Sequence, residues 1–109
     1  MPDALSAALE HTVEHGGHSY RFRRPAAKQM IAADVLAAGY RGGMPITSLT
    51  YSLALSEARA SCNAYCVDPR TVANDGAFDF GDLDDVALIA VYNEVSRWLE
   101  SFRVGVEKP

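Results

Sequence analysis

The chain has 109 residues, 49% of them hydrophobic and 22% charged, with a formal net charge of −4. That length suits a single domain, residues 1–109, which would bury roughly two-thirds of its unfolded surface. The acidic balance speaks against nucleic-acid binding, no run approaches the ~20 apolar residues of a membrane span, and the N-terminus lacks the basic start and apolar core of a signal peptide, so a soluble, cytoplasmic protein is expected.

Residues 3–10, DALSAALE, have the composition of a short helical turn with Asp3 as a possible cap. The next stretch, EHTVEHGGHSYRFRRP from Glu10 to Pro25, holds all three histidines of the chain. Gly16-Gly17 lies between two alternating segments, and a Gly-Gly pair supports the primed turns of two-residue hairpins. A hairpin over about 11–23 follows. In its register His15 faces His18, Val13 faces Tyr20, His11 faces Phe22 and Glu10 faces Arg23. His11, Val13, His15, His18, Tyr20 and Phe22 then share one face. His11 and His15 are four residues apart, roughly 13 Å along a strand. A zinc ion held at ~2 Å by each imidazole cannot span that distance. A rival reading makes residues 3–15 one helix, in which His11 and His15 could share a metal; Thr12, Val13 and the Gly-Gly break speak against it. The one basic cluster, Arg21, Arg23, Arg24 and Lys28, with Arg41 further on, is too small to predict DNA binding but suits a docking edge for an acidic partner.

RRPAAKQMIAADVLAAGYRGG reads as a helix over about 25–38. Pro25 suits the first turn, where its missing N–H would have had no partner, and Gly39 is a natural stop before Gly42-Gly43. Ala27, Met30, Ile31, Asp34, Val35 and Ala38 form its apolar stripe, broken only by Asp34. The second long segment, about 47–66, begins with strand-like alternation but continues with helical spacing through Tyr51, Leu55, Ala58, Cys62, Tyr65 and Cys66. Its length decides for a helix. Thr47 or Ser48 would cap it and Asp68-Pro69 would close it. Cys62 and Cys66, on one face of that helix, read as small core residues rather than a disulfide or zinc pair.

RTVANDGAFDFGD is a loop, with Asn74-Asp75-Gly76 as its turn. A third helix is expected over about 82–103, with Asp82 as N-cap and Asp85 three residues on. Leu88, Tyr92, Val95, Leu99 and Phe102 supply its apolar stripe. Asp75, Asp79, Asp82, Asp84 and Asp85 do not match calcium-loop spacing; negative charge at a helix start explains at least the last three. Phe78 and Phe80 are expected to pin the loop to the core. Exposed, they would join Arg21, Arg23 and Arg24 as partner-contact candidates. No nucleophile elbow, phosphate loop or dinucleotide motif is present, so no catalytic residue, cofactor or metal is assigned and a non-enzymatic protein is expected. The fold class expected is mainly α, a short N-terminal β-hairpin followed by a compact three-helix core.

This order of features resembles the small tail assembly chaperones of long-tailed bacteriophages. GGHSYRFRRP is similar to their hairpin exit with its basic-Pro step, and FDFGDLDDVALIAVYNEVSRWLESFR looks like their acidic-start, aromatic-rich closing helix. The resemblance spans residues 12–103, is one of pattern, and carries no family site residue over to this chain. It implies a protein of the host cytoplasm that binds the tape-measure protein, keeps it soluble, helps bring tail-tube subunits to it, and self-associates. Some members have a second, frameshift-extended form. Two other readings stand beside it: a structural component of a phage tail, neck or baseplate retained in the virion, and a small enzyme or metal-binding regulator.

Overall fold

A computed structural model describes residues 9–42 and 50–107. The expected helical turn near Asp3, the capping role of Thr47 or Ser48 and the first turn of the second helix lie outside the described residues. What is described is mainly helical, with a three-stranded antiparallel sheet.

Strands β1 (Glu10–His15) and β2 (His18–Arg23) form the hairpin. Gly16 and Gly17 take φ of 59° and 80°, and both positive values are what a type I′ turn demands. The turn fixes the register, which pairs Glu10 with Arg23, His11 with Phe22, Val13 with Tyr20 and His15 with His18. The Arg24 N–H extends the ladder by donating to the Leu9 carbonyl at 2.8 Å. Alternation then buries Val13, Tyr20 and Phe22 on one face and leaves Thr12, Glu14, Arg21 and Arg23 exposed on the other.

Helix α1 (Ala27–Arg41) begins two residues after Pro25 and runs through Gly39. It stops instead at Gly42, whose φ of 60° is left-handed and whose N–H reaches the Gly39 carbonyl at 3.0 Å. Helix α2 (Thr50–Tyr65) gives way directly to β3 (Cys66–Asp68), a strand that helical spacing had absorbed into α2. The residue before a proline is pushed to extended geometry, and the free edge of β2 supplies the partner: β3 pairs with it antiparallel, Phe22 opposite Cys66 and Arg21 opposite Asp68, with a register shift between. β2 is therefore the central strand. Helix α3 (Asp85–Glu107) starts three residues later than expected. Residues Phe80–Asp82 form a separate 3₁₀ turn capped by Asp79, and it is Asp84, not Asp82, whose carboxylate receives the Ala87 N–H at 2.8 Å at the start of α3.

The main core lies between the sheet, α2 and α3. Val13, Tyr20 and Phe22 from the hairpin meet Ala58, Cys62 and Cys66, then Phe80, then Leu88, Val91 and Val95. Full burial of a phenylalanine such as Phe22 or Phe80 contributes about 1.5–3 kcal/mol. Helix α1 sits outside this cluster. It buries Ala33 and Ala37, one turn apart, while α2 buries Ala60 and Ala64 on the side opposite Ala58 and Cys62. Two alanine faces let the helix axes approach closely. The apolar stripe read from the sequence points away from the core: Met30, Ile31 and Val35 are 50%, 64% and 66% exposed. A face built of alanines wins the interface because a stripe of long side chains would hold the helices apart.

Candidate functional site

Of the five residues singled out for partner contact, the structure keeps three at the surface. Arg21, Arg23 and Arg24 are exposed. Glu10 accepts from Arg23 through Nη2 at 2.8 Å and Nε at 3.2 Å, and approaches Arg21 Nη1 at 3.6 Å. The Arg23 hydrogen bond, more than the two charges, holds the Glu10 carboxyl below its usual range. Arg24 lies over the Phe102 ring, 4.2 Å from guanidinium carbon to centroid, a contact between a cation and an aromatic face. Phe80 is fully buried and Phe78 half-buried. They meet edge-on at 4.9 Å between centroids, and Phe80 lies 5.2 Å from Tyr20 and 5.8 Å from Phe22. Phe80 thus belongs to the core and cannot touch a partner.

The β2–α1 connection brings Arg23, Arg24 and Lys28 to one side of a cavity of about 460 Å³. Arg70, from the turn that follows β3, lines the same cavity. Lys28 stood in the basic cluster of the sequence; Arg70 did not, because nothing local marks it. The pairing of β3 with β2 folds it back toward residues more than forty positions earlier. Ala64, Tyr65 and Val67 give the cavity an apolar side.

The histidines separate as hairpin geometry requires. His15 and His18 are exposed at the turn. His11 stacks on Trp98 with centroids 5.4 Å apart and planes at 17°, and its Nε2 lies 3.3 Å from the Glu94 carboxylate. Among the described residues, no three His, Cys, Asp or Glu side chains are grouped to hold a metal. Cys62 and Cys66 are free and buried. Burial pushes both thiols up, Cys66 to about 11, so neither is a thiolate at neutral pH.

Internal hydrogen bonding engages Asp79, Asp84 and Asp85 of the acidic cluster. Arg59 donates to Asp79 through Nε at 3.1 Å and Nη2 at 2.7 Å while stacking 3.8 Å over the Tyr40 ring. The fully buried Asn63 donates to Asp79 at 3.0 Å and to the Tyr40 hydroxyl at 3.1 Å, and its Oδ1 accepts from the Phe80 N–H at 2.9 Å. These donors, the Arg59 guanidinium first, hold the Asp79 carboxyl well below the usual carboxylate range. Gly81 leaves room for this arrangement: a Cβ on it would sit 2.3 Å from Arg59 Nε and push the guanidinium aside. The Thr71 hydroxyl and the Asn74 amide donate to carbonyls at the end of α2, among them that of Asn63. Asp85 receives the Tyr51 hydroxyl at 2.6 Å and ties α2 to α3. These carboxylates are engaged in holding the fold.

Among the described residues, the basic cavity and the outer stripe of α1 are surface features that these contacts do not account for. Among the described residues, no helix is long and apolar enough to cross a membrane. Comparison of the chain with protein-family models, with curated proteins and with solved structures finds no match.

Proposed function

We propose that this chain is a non-enzymatic tail assembly chaperone of a long-tailed bacteriophage, acting in the host cytoplasm, which binds the tape-measure protein and assists tail-tube assembly. The observation that supports it is the outer face of α1. Met30, Ile31 and Val35 stand in solvent at helical spacing, flanked by exposed Ala27 and Ala38. A contiguous apolar patch on a helix whose own packing uses the opposite face is what a protein partner covers. An amphipathic helix would lay its i, i+3, i+4 anchors along such a stripe, and Asp34 in its middle favours a client helix with a Lys or Arg among its apolar residues. Such a surface also permits self-association of copies that lack a client.

The test is co-expression of the chain with helical fragments of a tape-measure protein from a long-tailed phage. The native chain is expected to hold the fragment in the soluble fraction and to co-purify with it. Ile31→Ser with Val35→Ser should abolish co-purification and leave the thermal midpoint of the isolated chain unchanged. Recovery of the chain in stoichiometric amounts from purified virions would overturn the proposal and make it a structural part of the particle.

A further inference from the structure

Four of the ten Lys and Arg residues of a net acidic chain line one cavity. They come from three places: Arg23 and Arg24 from the end of β2, Lys28 from the first turn of α1, and Arg70 from the turn after β3. Among the described residues, no Asp or Glu lines it. Glu10, which does not line the cavity, offsets part of the charge of Arg23 through its Nε and Nη2 and, with the stacking of Arg24 on Phe102, fixes two guanidinium groups in place. The side chains of Lys28 and Arg70 form no hydrogen bond or ion pair among the described residues.

The backbone adds to this. Ala26 and Lys28, at the start of α1, line the same cavity. The first turn of α1 contains no acidic residue, and the Ala26 side chain has no oxygen to cap the N–H groups there. The Gln29 Oε1 takes the Ala26 N–H at 3.0 Å and the Ala26 carbonyl takes the Gln29 N–H at 3.0 Å, which leaves the N–H groups of Ala27 and Lys28 at this end of the helix. The start of a helix and four cationic residues lining one cavity favour clustered oxyanions. A single carboxylate would satisfy one guanidinium and leave the other cations repelling one another. The volume of about 460 Å³ lies in the range of small-molecule sites, and guanidinium forks match the oxygens of a phosphate group.

We infer that this cavity binds a compact ligand carrying two or more linked phosphate groups, its oxyanions held by Arg23, Arg24, Lys28 and Arg70. The site is separate from the α1 stripe, so it stands or falls independently of the chaperone reading. Calorimetric titration with inorganic pyrophosphate, a nucleoside diphosphate and a nucleoside monophosphate tests it, with a triglutamate peptide as the carboxylate control.

Both diphosphates should bind at least tenfold more tightly than the monophosphate, and more weakly as salt rises. Equal affinity for the two diphosphates would assign recognition to the phosphates alone; tighter binding of the nucleoside form would add the apolar side near Tyr65. Lys28→Ala and Arg70→Ala should each weaken binding roughly tenfold, the usual loss for a charged hydrogen bond, with the thermal midpoint unchanged. No heat with millimolar pyrophosphate would overturn the inference. Undiminished binding by the double variant would do the same. Tighter binding of triglutamate than of pyrophosphate would reassign the cavity to an acidic peptide.

Discussion

Asp79 carries more of the tertiary structure than any other carboxylate described. It receives Arg59, Asn63 and the Gly81 N–H together, and so joins α2 to the loop that delivers Phe80 into the core. The folded state holds its carboxyl well below the ordinary value of 3.8, through the Arg59 hydrogen bond first and those of Asn63 and Gly81 after it, against the opposing effect of burial. A carboxylate depressed on folding stabilises the native state above its unfolded value, and that contribution is lost as pH falls through the unfolded value toward the folded one. Asp79→Asn should therefore lower stability at pH 7 and flatten the decline in stability from about pH 5 downward. Denaturant titrations of both proteins at several pH values give the two curves. Parallel curves would remove Asp79 from the acid response. None of this was legible locally: the sequence offered five aspartates in eleven positions, and only the fold distinguishes the half-buried anchor at Asp79 from the helix cap at Asp84.

The hairpin was readable because its determinants are local. Gly16-Gly17 fixes the turn, the turn fixes the register, and a period of two decides which side chains face inward. Helix α1 was readable as a helix but not in its orientation. Its hydrophobic stripe contains Ile31 and Val35, and hydrophobicity alone sends that stripe inward; the packing of Ala33 and Ala37 against a helix that buries Ala60 and Ala64 sends it outward. Strand β3 was hidden because Cys66 follows Cys62 at a helical interval and also fits a strand. If close approach governs the α1–α2 contact, Ala60→Leu should cost about 1–3 kcal/mol by overpacking. Val35→Leu, adding similar bulk on the outer face, should stay within about 0.5 kcal/mol. Thermal unfolding separates the two, and equal costs would mean that the alanine faces are not what sets the helix spacing.

The sheet, α2 and α3 enclose the aromatic core, and the loop between β3 and α3 is fastened to it by buried polar side chains. The basic cavity shows how far a site can be foreseen. Arg23, Arg24 and Lys28 stand within six positions of one another and announce a basic edge. Arg70 joins them only through strand pairing, and a cavity is a property of the assembled elements that no single stretch displays. Helix α1 has a different standing from the rest. It sends no residue into the main cluster of buried side chains, its own buried side chains are alanines, and it is tied to α2 through Tyr40, which accepts from Asn63 and lies under Arg59. Regions of that kind open at lower free energy than the core they rest on. Native-state hydrogen exchange should accordingly show two tiers, with the amides of α1 losing protection together while those of β2, α2 and the middle of α3 exchange only on global unfolding. A single tier would mean that α1 and the core unfold as one unit. In the two-tier case, the same helix that offers its outer face to a partner is the part of the protein that can be displaced without undoing the remainder.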